Sequence, residues 1–75
     1  MVLAELKQKE RARIIDFSDV NELVQRRLIQ LGMKEDDEIC VKRKLPFGGP
    51  FMFESGGQCL GIRLGEAKKI RIEKL

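Results

Sequence analysis

The sequence predicts a small, mainly β domain: a five-stranded barrel with one α-helix inserted between strands 1 and 2. Five short segments alternate apolar and polar residues, which is typical of strands with one buried face. One stretch, between the first two of these segments, instead has helical spacing. The 75-residue chain is expected to form one domain, residues 1–75, and five such strands bury their apolar faces best by curling into a closed barrel.

Pairs of apolar residues two positions apart mark the predicted strands. The first strand covers Arg11 to Asp16 (RARIID), where Ala12 and Ile14 point inward and Ile15 marks a twist or the strand's end. The four later strands are centred on Ile39 and Val41, Phe51 and Phe53, Leu60 and Ile62, and Ile70 and Ile72. Gly61 is expected to ease a sharp bend at a barrel corner.

The predicted helix has one apolar face and carries sequence signals at both of its ends. The apolar stripe on this face consists of Val20, Leu23, Val24, Leu28 and Leu31. We expect Ser18 or Asp19 to cap its N-terminus, with Glu22 completing a capping box. Its C-terminus is predicted at Leu31, because Gly32 suits the left-handed residue that ends many helices. Met33 could then fold back on Leu28, as in a Schellman motif.

The connections carry the turn-forming residues. Gly56 and Gly57 predict a hairpin, and residues 65–68 (GEAK) predict a short helical turn. The segment from Lys44 to Gln58 (KLPFGGPFMFESGGQ) contains both prolines and four of the seven glycines. Because no helix is predicted directly after its glycines, we do not interpret it as a phosphate-binding loop.

The composition excludes several classes of function. The chain has no His, Tyr or Trp, so the usual general base is missing, and we expect neither an enzyme nor a cofactor. A net charge of +3 is small for a dedicated nucleic-acid binder, so no nucleic-acid partner is expected. The charged start MVLAELKQKE does not fit a signal peptide, and no segment is long and apolar enough to span a bilayer. We therefore expect a cytoplasmic protein without direct membrane insertion.

Possible metal ligands are few and scattered. Cys40 and Cys59 are nineteen residues apart without a CxxC motif, so we interpret them as small, partly buried strand residues with inert thiols. The acidic run from Glu35 to Glu38 lacks the spacing of a calcium loop and is predicted to be a solvated turn.

Four motifs occur along the chain in a fixed order: RRLIQLGM at 26–33, DEICV, LPFGGPFMF, and GIRLGEAKKIRI near the end. Together they resemble the FeoA family, the small ferrous iron transport protein A, and the match runs nearly end to end. The resemblance implies an SH3-like barrel, a fold also similar to the C-terminal domain of diphtheria-toxin-repressor-type metal regulators. Where such sequences commonly have Pro-Gly after LGM, this chain has Glu35 and Asp36. Asp tolerates the left-handed conformation, so the turn is expected to survive.

The resemblance further implies an accessory or regulatory protein of ferrous iron uptake. It would act as a non-enzymatic interaction module on the cytosolic part of the membrane iron permease FeoB, which carries a GTP-binding domain. The partner-binding residues that we predict are Pro46, Phe47, Gly48, Gly49, Pro50, Arg26 and Arg27. Prolines preset a loop and glycines allow close approach. Phe47 is either the anchor of this contact or a cover for one end of the barrel, and the two arginines are either a docking patch or a solvated helix face.

Other functions stay open at the level of sequence. The alternative is a transition-metal-binding domain, an Fe(II) sensor or carrier, with Cys40, Cys59 or the carboxylates of residues 35–38 as ligands. The absence of histidine counts against it. Nucleic-acid binding is supported by the net positive charge alone. Exposed sheet edges also leave room for a homo-oligomer.

Overall fold

The computed structural model describes residues 1–45 and 49–75. Three predicted partner-binding residues, Pro46, Phe47 and Gly48, lie outside the described residues. A 3₁₀ turn at Leu3–Glu5 precedes the regular elements. These are β1 (Arg11–Asp16), α1 (Glu22–Gln30), β2 (Glu38–Lys44), β3 (Phe51–Ser55), β4 (Gln58–Ile62), α2 (Leu64–Ala67) and β5 (Arg71–Lys74).

The five strands form one antiparallel sheet in the order β4-β3-β2-β1-β5. Within residues 1–45 and 49–75 no ladder joins β4 to β5, so the sheet is not closed and the predicted barrel is not confirmed. The N-terminus accounts for this difference, since it takes the far side of β5. Val2 bridges Arg71, Leu3 N–H donates to the Ile70 carbonyl at 2.8 Å, and Ile72 N–H donates to the Met1 carbonyl at 2.9 Å.

The buried faces of the strands follow the predicted alternation. All five inward pairs are buried: Ala12 and Ile14, Ile39 and Val41, Phe51 and Phe53, Leu60 and Ile62, and Ile70 and Ile72. The register of the β1–β5 ladder shifts between Ile14 and Asp16, which places a bulge at Ile15 and leaves that side chain exposed. Leu3 and Leu6 from the N-terminal segment join the same core.

The start of α1 differs from the prediction. Asn21 is the cap, and its Oδ1 accepts the Leu23 N–H at 2.8 Å. Ser18 is engaged elsewhere, because the Asp16 carboxylate accepts both its N–H at 3.0 Å and its hydroxyl at 2.9 Å. The chain therefore makes a local turn at Asp16 and Ser18 before the helix begins, and the predicted capping box with Glu22 is wrong.

The predicted apolar stripe of α1 is buried only in part. Leu28 is 2 % exposed and is the buried residue of the helix, while Val24 packs partly against the core. Leu23 is 74 % exposed and Leu31 is 39 % exposed. The helix therefore contacts the sheet along a narrow line, and a portion of its apolar surface faces solvent.

The end of α1 is the predicted Schellman motif. Met33 N–H donates to the Leu28 carbonyl at 3.0 Å, and Gly32 N–H donates to the Ile29 carbonyl at 2.9 Å. Gly32 has a φ of +95°, and the side chains of Leu28 and Met33 are both buried. The glycine thus turns the chain so that Met33 re-enters the core beside Leu28.

The other predicted turns are also confirmed. Asp36 has a φ of 71°, so aspartate takes the left-handed position in the turn after LGM. Gly56 and Gly57 have φ values of 57° and 84°, as a two-residue hairpin turn requires. The predicted helical turn near residues 65–68 is α2, which begins one residue earlier.

Gly32→Ala tests the helix end. A Cβ in the left-handed region is expected to lower the free energy of unfolding by about 1–2 kcal/mol, and each kcal/mol is roughly 4–8 °C of melting temperature in so small a domain. Gly65→Ala is the matched control, because Gly65 lies in α2 with open space around it and without a positive φ. Thermal unfolding should show a loss for the first variant and none for the second. Equal melting temperatures would contradict this account.

Glu10 provides a test by pH. Its carboxylate pairs with the Lys74 ammonium and accepts the Lys7 N–H, and these bonds hold the pKa of Glu10 below its ordinary value of 4.5. Since the folded pKa is the lower one, this contribution to stability is present above about pH 4.5 and is lost as pH falls toward the folded pKa. Glu10→Gln should flatten the acid side of a stability–pH curve. An acid side as steep in Glu10→Gln as in the wild-type protein would contradict this role of Glu10.

Candidate functional site

A cleft of about 570 Å³ lies between α1 and the edge of the sheet. On the helix side it is lined by Val24, Arg27 and Leu28, and on the sheet side by Gly61 and Ile62 of β4. This volume falls within the ~300–1,000 Å³ range of ligand-binding clefts. The cleft is open to solvent and has an apolar floor, so it is suited to a side chain or peptide rather than to an enclosed small molecule.

Three charged side chains surround this floor. Arg27 comes from α1, Arg63 immediately precedes α2, and Glu66 lies within α2. In the described ranges neither arginine forms a salt bridge. One carboxyl oxygen of Glu66, Oε2, is buried and has no hydrogen-bond partner among the described residues. Two guanidinium groups without an ion pair among the described residues therefore border the cleft, beside a carboxylate that has one buried oxygen unpaired.

Gly61 leaves space on the sheet side of the cleft, because it has no side chain. It lies opposite Met52 in the β3–β4 ladder, and both residues line the cleft. A Cβ at Gly61 would lie 3.1 Å from Met52 Sδ, which is too close for the present position of the thioether. The glycine thus makes room for Met52 to lie across β4, and this contact is a role that the structure supports for Gly61.

The structure brings together two of the predicted partner-binding residues that it describes. Arg27 and Pro50 line the same cleft. Arg26 does not, because its guanidinium pairs with Glu22 one turn earlier, at 2.8 Å, on the exposed surface of α1. Gly49 is half-buried and does not line the cleft.

Sequence reasoning missed Arg63, Glu66 and Met52. Arg63 and Glu66 belong to the motif GIRLGEAKKIRI, which helped to indicate the family but carried no separate sign of a binding role. Met52 stands between the core residues Phe51 and Phe53, where alternation places it on the opposite face of the sheet. That placement is the one signal by which it could have been noticed.

The proposed metal ligands are not gathered in the structure. Within residues 1–45 and 49–75, no three His, Cys, Asp or Glu side chains cluster. Both cysteines are free, Cys40 is half-buried, and Cys59 is exposed, not partly buried as predicted. In the acidic turn, Asp37 accepts the Lys34 N–H at 2.9 Å and Glu38 pairs with Arg11 at 3.2 Å.

A smaller cleft, of about 350 Å³, lies on the outer face of the sheet at Cys40. Two ion pairs border it, Arg11 with Glu38 at 3.2 Å and Lys42 with Glu54 at 3.9 Å. Its charged groups therefore already neutralise one another across neighbouring strands. In the part of the chain that the structure describes, no helix has the length and apolar character needed to cross a bilayer.

An antiparallel five-stranded sheet with a helix after its first strand, and a cleft at its edge, defines a small SH3-like domain. The chain belongs to the FeoA family, since the model of the FeoA domain matches residues 1–74. The predicted resemblance is thereby confirmed, and the family makes this chain a protein associated with ferrous iron transport. Proteins of this family are accessory to iron transport and are not known as enzymes.

Solved structures show the same relationship. The chain is similar to the FeoA protein of Chlorobium tepidum, with 33% identity and a TM-score of 0.93 over 100% of this chain and 70% of that one. It is also similar to a zinc-bound FeoA of Stenotrophomonas maltophilia, an SH3 domain protein considered a candidate activating factor of ferrous iron transport. That match has 28% identity and a TM-score of 0.81, over 97% of this chain and 89% of the other.

The fold extends to a second group of proteins. A manganese-dependent transcriptional repressor is 16% identical, with a TM-score of 0.87 over 100% of this chain and 41% of that one. At this identity the likeness concerns the fold alone. The comparison with curated proteins gave no match.

A metal titration tests the alternative function. Binding to the folded state adds RT ln(1 + [L]/Kd) to the free energy of unfolding and therefore raises the melting temperature. Because the described carboxylates and thiols are dispersed, we expect saturating Fe(II), Mn(II) or Zn(II) to leave the melting temperature of the reduced protein unchanged. A saturable rise that is lost in Cys40→Ser or Cys59→Ser would reinstate direct metal binding.

Proposed function

We propose that this chain is an accessory or regulatory protein of ferrous iron uptake, acting in the cytoplasm as a non-enzymatic interaction module. Its partner is the cytosolic part of a FeoB-type iron permease. Membership of the FeoA family supports the assignment to iron transport. The fold supports a binding role, since a rigid sheet with exposed loops and clefts is a common platform for partners.

One observation carries the proposal: Arg27 and Pro50, two residues expected from the sequence to contact the partner, line the same cleft. They come from elements more than twenty residues apart in the chain, so their convergence is a result of folding. We place the centre of the interface at this cleft.

The chemistry of the cleft also suits a protein partner. Val24, Leu28 and Met52 supply apolar surface, and Arg27 and Arg63 supply cations at its border. An apolar centre with arginine beside it is typical of the parts of interfaces that contribute most to affinity. Leu23, 74 % exposed and one turn before Arg27, extends the apolar surface along α1.

Substitutions in the cleft should weaken binding to the purified cytosolic domain of the permease. A charge-assisted hydrogen bond contributes about 1.5–3 kcal/mol, so we expect Arg27→Glu to reduce the affinity by about tenfold or more. Arg26→Glu should have a smaller effect, because Arg26 already pairs with Glu22. Isothermal titration calorimetry measures both, and Phe47→Ala in the same assay tests the predicted anchor.

Lys68→Glu is the matched control for this series. It makes the same change of charge at an exposed position next to α2 that does not line the cleft. If Lys68→Glu weakens binding as much as Arg27→Glu does, general charge attraction explains the complex and the cleft has no special part. If the wild-type protein does not bind the cytosolic domain at all, the proposed function is wrong.

A further inference from the structure

The two edge strands of the sheet, β5 and β4, differ in whether another segment of the described chain covers them. Residues 1–3 cover β5, through the Val2–Arg71 bridge and the hydrogen bonds beside it. At the other edge, β4 has β3 as its neighbour, and no strand of the described chain lies on its far side. Its sequence, QCLGI, contains none of the lysines or prolines with which proteins commonly block an exposed edge. The edge of β4 is therefore open to an added strand.

The turn before β4 determines which backbone groups face outward. In the Gly56–Gly57 hairpin turn, residues Ser55 and Gln58 form the closing hydrogen-bonded pair. Pairs in an antiparallel ladder alternate between bonded and non-bonded, and the β3–β4 register is continuous. Cys59 and Gly61 are thus the residues whose N–H and C=O groups point away from β3, the arrangement that an added strand requires.

This outward-facing edge borders the cleft. Gly61 lines it directly, and α1 forms the opposite wall through Val24 and Arg27. At the other end of β4, a Cβ on Gly32 would lie 4.0 Å from Gln58 Oε1, so the end of the helix also approaches the strand. The cleft is therefore a groove between a helix and an edge strand, a geometry that binds extended peptides by strand addition.

The charges in the groove indicate what such a peptide carries. Arg27 and Arg63 form no salt bridge within the described residues, so they can receive acidic side chains. Glu66 also lines the groove, and its Oε2, buried without a partner among those residues, can accept a peptide N–H once the side chain turns it toward the peptide. Val24 and Met52 provide apolar surface for a side chain between the acidic positions.

We propose that an extended segment of the partner, acidic with an interspersed apolar residue, adds to β4 as a sixth strand and lies in this groove. The inference rests on the proposed function, since it specifies how the partner is held. A second copy of this chain fits less well, because its own β4 has no acidic residue to offer Arg27 and Arg63. Both copies also carry a net charge of +3.

Amide hydrogen exchange tests strand addition directly. The ¹⁵N-labelled protein is mixed with the unlabelled cytosolic domain of the permease, and exchange is followed residue by residue by NMR. The amides of Cys59 and Gly61 should slow by about tenfold or more on binding, because they gain hydrogen bonds. Those of Leu60 and Ile62, which already face β3, should change much less. Unlabelled copies of this chain, added instead of the domain, should leave all four amides unchanged.

Arg63→Glu provides the matching mutational test. Arg63 is exposed and precedes the first turn of α2, where an acidic residue is tolerated, so the variant is expected to fold. It should weaken binding by about tenfold or more and, with the domain near its wild-type Kd, largely remove the protection of Cys59 and Gly61. Lys68→Glu should keep both.

The outcomes separate this inference from the proposed function. If the domain binds but Cys59 and Gly61 exchange at their original rates, strand addition is wrong and the interaction with the permease stands. If copies of this chain alone protect both amides, the groove is a self-association site and the proposed occupant is wrong. If the domain does not bind, both proposals are overturned.

Discussion

The junction of Leu28 and Met33 at the end of α1 is the contact on which the arrangement of the helix depends. Their backbones are joined by a hydrogen bond of 3.0 Å, and both side chains are buried in the core. Burial of one such side chain stabilises a fold by about 1.5–3 kcal/mol, a large share of the margin of a 75-residue domain. Since Leu28 is the fully buried residue of α1, the helix is held mainly by its later turns. Leu23 is left exposed, and a cleft separates the helix from β4.

The open sheet follows from how the N-terminus is used. Residues 1–3 bond to the far side of β5 and bring Leu3 into the core, so they contribute apolar burial while they cover an edge. Closing the sheet would require β4 to take that place. Instead β4 faces α1 across the cleft. Its sequence, QCLGI, carries no charged residue, and Gly61 lines the cleft. The helix and the uncovered edge are thus two sides of one groove, and the position of each depends on the same small core.

Much of the fold could be predicted because each strand has one buried face, which gives a period of two at residues such as Ile39 and Val41. Gly32 indicated the helix end because few residues other than glycine adopt the left-handed conformation that ends many helices. The helix start could not be fixed in the same way, since several polar residues compete to cap it and the choice of Asn21 depends on the bonds between Asp16 and Ser18. Pairing of residues 1–3 with β5 joins opposite ends of the chain and leaves no periodic signal.

Of the proposed binding surface, the sequence predicted two residues that the structure places at the cleft, Arg27 and Pro50. Arg63 and Glu66 can be recognised as part of it only after folding brings them to the same cleft as α1, where one Glu66 oxygen is buried without a partner among the described residues. A buried acceptor without a hydrogen bond costs a protein about 1–3 kcal/mol. A ligand N–H would remove that cost if the Glu66 side chain turned this oxygen toward the cleft on binding. On the strand-addition proposal, the same atom would therefore lower the stability of the free domain and favour a partner that carries peptide donors.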